Sequence, residues 1–267
     1  MSEFNIEIEG GSSKRLKTAG KYCDRDIVVT ASGGGGGEID ALIDRSITEV
    51  TSSAPSISNS VFLNCGKLTT ANFPNATSIG ENAFYNCTSL TDTSFPNVVS
   101  LGGNALRACK SLRTIDLPNA TSFTGMNQFQ ECSELVNINI PKVTTLGSGY
   151  TFYSCYKLSI LDLPMVTSLP SSVFSSCYVL RALLLRRDSV VTGSASSAFS
   201  HCYRFLGTVN SKHNPDGLRD GYIYVPRALI EDYKVATNWS TFPDQFRALE
   251  DYTVDGTTTG AFDESKI

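Results

Sequence analysis

Between residues 61 and 207 the apolar positions return in one fixed phrase. It reads Phe62/Cys65/Leu68, Phe84/Cys87/Leu90, Leu106/Cys109/Leu112, Phe129/Cys132/Leu135, Phe152/Cys155/Leu158, Phe174/Cys177/Leu180 and Phe199/Cys202/Phe205. The i, i+3 spacing suits a single helical turn. Further along each copy, Ile115-x-Leu117 and its equivalents alternate with a period of two, which predicts a short strand with side chains inward and outward by turns. Proline ends that strand in five copies (Pro74, Pro96, Pro118, Pro141, Pro164), because it brings no N–H to a ladder. A second apolar position follows at Ile79, Leu101, Phe123, Leu146 and Leu169.

Successive cysteines lie 22, 22, 23, 23, 22 and 25 residues apart. A period of about 20–29 residues marks a solenoid with one turn of chain per repeat. A single coil cannot bury its apolar edge; a stack of them builds a continuous core. The prediction is an α/β repeat solenoid of about seven coils, each 22–23 residues long. Parallel strands occupy one face, short helical turns the other, and a cap closes each end. Two departures stand out: Leu106 replaces the usual Phe, and Arg186-Arg187-Asp188 replaces the proline after Leu185. The last coil is therefore expected to bulge.

The phrase L-x-x-L-x-L…C, carried by "LTTANFPNATSIGENAFYNC" (Leu68–Cys87) and its copies, resembles the leucine-rich repeat. More closely it resembles the BspA-like, treponemal-type variant, over residues 61–207. The resemblance implies a solenoid that binds through its surface and catalyses nothing.

Eight cysteines invite a disulfide or metal reading. Zinc sites use clustered C-x₂-C pairs, and the chain has none. Stacked equivalent thiols lie about 5 Å apart and parallel, a poor geometry for bridging. They read instead as small buried side chains with the S–H as a weak donor. Cys23, outside the repeats, is the expected exposed thiol.

The ends have their own composition. Residues 1–32 read as a small β module, with strands at Phe4–Glu9 and Asp26–Thr30 and a polar, turn-like Lys14–Tyr22 between them. Five glycines at 33–37 form a linker with no nucleotide-binding context. Residues 38–60 form an N-terminal cap with a helix over Glu38–Arg45. Residues 208–253 form a C-terminal cap, with a strand at Tyr222–Pro226 and an amphipathic helix from Arg227 to Thr237. Residues 254–267 read as a loose polar tail. "LKTAGKYCDRDIVVTA" (Leu16–Ala31) and "LEDYTVDGTTTGAFDESKI" (Leu249–Ile267) resemble segments of phage tail and prophage proteins.

Composition narrows the function. The net charge of −4 argues against nucleic acid. No run of eighteen apolar residues offers a membrane span, and the N-terminus lacks the apolar region of a secretory signal. The expectation is a bacterial protein made in the cytosol and incorporated into a virion or tail particle, with the cell surface as the alternative. Only His201 and His213 could serve acid–base chemistry, and no G-x-S-x-G, H-E-x-x-H or Walker pattern accompanies them. No enzyme activity, cofactor or metal is expected. The sequons at Asn75, Asn86, Asn119 and Asn238 carry no separate expectation.

Two surface columns remain. The outward strand positions Asn72, Ser94, Asp116, Asn139, Asp162 and Leu184, with Asp92, Thr114 and Asn137 beside them, make a face of acceptors and amides. That face suits a protein or a cell-surface glycan. Tyr156, Tyr178 and Tyr203 form an aromatic column after the cysteines, with Tyr85 and Tyr153 nearby. Rigid amphipathic rings of this kind are enriched at binding surfaces. They could equally brace the outer turns. Residues 1–32 are the expected docking point on a larger assembly.

Overall fold

The computed structural model describes residues 47–193, 195–207 and 212–267, together with the strands Glu3–Glu7, Lys14–Lys17 and Ile27–Thr30. The expected linker at 33–37, the cap helix over 38–45 and Cys23 lie outside the described residues.

The alternating positions form strands, and the strands stack in parallel. A first ladder runs through Glu49–Ser52, Thr70–Asn72, Asp92–Ser94, Thr114–Asp116, Asn137–Asn139, Ile160–Asp162, Ala182–Leu184, Tyr222–Val225 and Phe246–Ala248. The result is a solenoid of about nine turns. Register is in step with the repeat: Thr70, Ala71 and Asn72 face Asp92, Thr93 and Ser94. The coils counted from cysteines are thus extended at both ends by turns that carry no cysteine. Ile223 pairs with Phe246, one coil length on.

A second ladder of two-residue strands lies past each proline: Ser78–Ile79, Ser100–Leu101, Ser122–Phe123, Thr145–Leu146, Ser168–Leu169 and Thr192–Gly193. Coils meet closely just beyond it. A Cβ on Gly102 would lie 2.6 Å from the Glu81 backbone nitrogen, so only glycine fits there.

The outer arc is built from repeated i→i+3 turns. Cys65 N–H donates to Phe62 O (3.1 Å) and Leu68 N–H to Cys65 O (3.0 Å). Alternate amides reach the next coil instead, as Phe84 N–H does to Ala105 O at 2.8 Å. In each repeat from that of Cys65 to that of Cys177 two arc residues take left-handed backbone, among them Asn64, Asn82, Asn86, Asn104 and Asn127 (φ 54 to 66°). Asparagine tolerates that conformation better than most residues. It also uses its amide between coils: Asn86 Nδ2 donates to Asn64 Oδ1 at 2.9 Å, and Asn127 Nδ2 to Asn104 Oδ1 at 3.0 Å. Ala108 interrupts the Asn64–Asn86 row with φ 59°. Ala108→Asn is therefore expected to raise stability by about 1 kcal/mol, relieving a left-handed cost of roughly 1–2 kcal/mol per residue. A urea midpoint shifted upward at unchanged slope is the check.

The apolar phrase fills the interior. Phe62 and Phe84 stack at 5.2 Å, Phe129 and Phe152 at 5.7 Å, and Phe152 and Phe174 at 6.1 Å. Leu106 breaks the column but is fully buried. The large member of the next coil is Phe123, edge-on to Phe129 at 5.7 Å.

The termini depart from expectation. Lys14–Lys17, read as a turn, is a strand antiparallel to Glu3–Glu7, which is itself parallel to Ile27–Thr30. Ile27–Thr30 pairs antiparallel with Glu49–Ser52, so these strands continue the solenoid's own first ladder. The bulge after Leu185 is present, and the arc there carries the short helices Ala195–Ala198 and Tyr203–Leu206. The bulge is tied down through one residue. Val191 N–H donates to Tyr233 Oη (2.9 Å) and Val191 O accepts Trp239 Nε1 (2.7 Å). The cap helix is shorter than expected: a 3₁₀ turn Arg227–Leu229, then Ile230–Val235, with Val235 exposed off its buried face.

The closing stretch is folded rather than loose. Leu249, Tyr252, Phe262 and Ile267 pack with Ala182, Leu184, Tyr222 and Tyr224 on the outward side of the first ladder. Tyr224 meets Tyr252 and Phe262 edge-on, each at 4.9 Å. A strand ladder with an apolar outward face must be covered, and this segment covers it.

Candidate functional site

The outward positions of the first ladder fall into an open part and a closed part. Asp92, Ser94, Thr114, Asp116, Asn137 and Asn139 are exposed, and Asn72 is half-buried. They sit there because the central residue of each triplet turns inward, leaving the flanking pair outside. Part of the row is already bonded: Asn139 Nδ2 donates to Asp116 Oδ1 at 2.7 Å, and Thr91 Oγ1 to Asp92 Oδ2 at 2.7 Å. The open part therefore offers two carboxylates held among amides and hydroxyls.

Asp162 and Leu184, which the sequence places in the same column, are closed off. Arg186 Nε reaches Asp162 Oδ1 and Oδ2 at 2.9 and 2.8 Å. Its Nη1 donates to the Thr258 and Gly260 carbonyls at 2.7 and 2.9 Å. The arginine side chain is 10% exposed. One guanidinium thus clamps the strand face to the C-terminal segment, a geometry its rigid fork suits. Leu184 is buried under that segment. The signal was available in the sequence: Leu184 is the one apolar residue in an otherwise polar outward column.

The tyrosine column is real and internally stacked. Tyr156 and Tyr178 lie 4.8 Å apart and nearly parallel, and Tyr178 and Tyr203 5.2 Å apart. His213 sits 4.2 Å from Tyr178. Ring faces are thus spent on neighbouring coils, and the rings brace the arc. Burial raises the Tyr178 phenol, opposed by its hydrogen bond with Ser176. Tyr85 carries Arg107 over its ring at 5.3 Å, and Tyr153 packs edge-on against Tyr150 at 5.7 Å.

The cysteines have a shared geometry. From Cys87 to Cys202 each thiol donates to a phenylalanine or leucine carbonyl of the preceding coil: Cys87 to Phe62 O at 3.1 Å, Cys132 to Leu106 O at 3.1 Å and Cys202 to Phe174 O at 2.9 Å. None of the seven repeat cysteines is bridged. Burial pushes the Cys132 and Cys177 thiols up to about 12 and holds Cys109, Cys155 and Cys202 well above their ordinary value. Thiolate is the reactive form, so peptide-resolved mass spectrometry should find these sites unmodified by maleimide at pH 7.5 until the protein is denatured. The sign of the linkage follows. An acid whose folded pKa is raised contributes its stabilisation fully below the unfolded value of about 8.5 and loses it as pH climbs toward the folded value. Urea midpoints should hold below pH 8 and fall between about 8.5 and 12.

Among the described residues no group of three or more His, Cys, Asp or Glu side chains is placed to hold a metal ion. His201 Nδ1 shares a hydrogen bond with Ser200 Oγ at 3.2 Å, on the exposed arc. No described helix is long and apolar enough to cross a membrane.

Parallel strands stacked one per coil, a leucine-and-cysteine core and a turn-built outer arc define a leucine-rich-repeat solenoid. Residues 55–181 match, in six copies, the family model described as BspA type Leucine rich repeat region. A crystal structure of a Treponema pallidum leucine-rich repeat protein is 24% identical, with a TM-score of 0.51 over 65% of this chain and 74% of that one. A leucine-rich repeat protein from Bacteroides ovatus is 19% identical, with a TM-score of 0.37 over 76% of this chain and 58% of that one. A leucine-rich cell surface protein from Faecalibacterium prausnitzii is 17% identical, with a TM-score of 0.26 over 54% and 60%. No curated protein matches the chain.

Proposed function

We propose that this is a binding protein whose partner is another protein, held across the open part of the first ladder from Asn72 to Asn139. The observation that carries the reading is the row itself: exposed, ordered, short side chains on a rigid scaffold. Short polar groups lose little rotamer freedom on contact, so a rigid face of this kind binds at low entropic cost. Asp92 and Asp116 favour a partner offering Lys, Arg or amide donors. The solenoid architecture fits the same role, since stacked repeats present extended recognition surfaces. An adhesin on a bacterial surface is the setting this reading prefers.

A photo-crosslinking residue in place of Thr114 tests it in producing cells, against the same residue in place of Ser89 on the outer arc. Discrete protein adducts from position 114 alone support the reading; equal adducts from both, or none from 114, overturn it. A second setting, a component of a phage tail docked through residues 1–32, rests on the resemblance of Leu16–Ala31 and Leu249–Ile267 to tail proteins. Fractionating induced cells with an antibody to the solenoid separates the settings: signal in purified particles favours the tail, signal in the envelope the adhesin.

A further inference from the structure

We propose that a trough beside the second ladder is a binding site for a neutral, linear, hydroxyl-rich glycan. The trough holds about 480 Å³. Asn75, Asn97 and Asn119 line one side, Thr77, Val99 and Thr121 the other, and Lys142 stands at one end.

The amides are preset. Asn97 Nδ2 donates to Pro74 O at 2.7 Å and Asn119 Nδ2 to Pro96 O at 2.9 Å, each reaching back one coil. A carboxamide has two N–H groups and an oxygen with two lone pairs. One N–H is spent on the preceding coil, so the second N–H and at least one lone pair of the oxygen remain for a ligand, in the same orientation in each coil. Lys142 Nζ donates to Asn119 Oδ1 at 2.7 Å, which continues the row with an ammonium in place of an amide. The threonines are oriented likewise. Thr77 Oγ1 donates to Pro55 O (3.1 Å) and Thr121 Oγ1 to Val99 O (3.4 Å), leaving their lone pairs as acceptors.

Groups that donate and accept side by side match hydroxyls, which do both. Val99, 42% exposed, is the apolar spot in the trough; the C–H face of a pyranose ring covers such a spot. Charge excludes the alternatives. No carboxylate lines the trough to hold a polycation, and a single ammonium at one end, with neutral amides and hydroxyls along the rest, gives a polyanion one charge to pair with. Strand spacing repeats the amides about every 4.8 Å, so identical groups recur in line and favour a ligand that is itself a repeating chain along the stack. This inference rests on the reading of the solenoid as a binding protein but uses a different face, so its failure leaves the first-ladder site untouched.

Isothermal titration of the full chain with cellohexaose, xylohexaose, mannohexaose and chitohexaose is the test. Saturable binding of at least one is expected. Val99→Arg, which fills the trough from an exposed position, should weaken it at least tenfold with the melting temperature unchanged. Lys142→Asn, which extends the amide row by one coil, should tighten it about threefold. Asp116→Lys on the first ladder should leave it unchanged. Absence of saturable binding with all four sugars would overturn the proposal, as would an affinity indifferent to both Val99→Arg and Lys142→Asn.

Discussion

Replacing Phe152 by alanine lowers the stability of the protein by about 3–5 kcal/mol, the range for losing a buried phenylalanine. The ring is fully buried, stacked on Phe129 at 5.7 Å and on Phe174 at 6.1 Å. A solenoid gives it no substitute, since a coil packs only on its two neighbours and both lose their partner at once. The cavity also lies mid-stack, held open by backbone ladders on either side, so collapse into it is limited. Cys155→Ala at the same coil is the control. It removes a small side chain and one weak thiol bond to Phe129 O at 3.2 Å, and should cost nearer 1 kcal/mol. Urea unfolding measures both. Equal costs, or a Phe152→Ala cost below about 1.5 kcal/mol, would mean that the core relaxes as packed interiors normally do not.

Truncation after Asp251 is the second large effect. The segment it removes carries Tyr252 and Phe262, whose rings cover Tyr224, and Ile267 from the same cluster. Burying one large apolar side chain stabilises by about 1.5–3 kcal/mol, and these side chains are only partly buried, so a loss of roughly 3 kcal/mol is expected. The truncation also leaves Arg186 without the Thr258 and Gly260 carbonyls, although its pairing with Asp162 remains. The outward residues Ala182, Leu184 and Tyr224 become a bare apolar patch on a strand face, which promotes self-association. Light scattering should show the truncated protein associating at concentrations where the full chain does not. A monomeric truncation with an unchanged melting temperature would show that the segment contributes nothing to the fold.

Much of this molecule was legible along the chain because its contacts are nearly all local in the repeat. A residue's neighbours are its own equivalents one coil away, so a periodic list of apolar positions is already a list of core contacts. Phe62, Cys65 and Leu68 lie buried as their spacing predicts, and the inward/outward alternation placed Asp92, Asp116 and Asn139 outside. The asparagines before the cysteines were less legible. Their spacing gives no amphipathic signal, and their purpose, left-handed backbone plus an amide bond to the next coil, is a matter of φ and of stacking.

By itself, then, the sequence determined the repeat, its strand, its turn and the content of its core, since each follows from side-chain periodicity within one coil. Tertiary structure decided everything that joins residues without a common period. It brought Arg186 to Asp162 and to the carbonyls of Thr258 and Gly260, and turned a polar-looking tail into a cover over Leu184 and Tyr224. Those contacts depend on where the chain returns in space after the repeat has ended, and no local pattern of apolar and polar residues encodes that return.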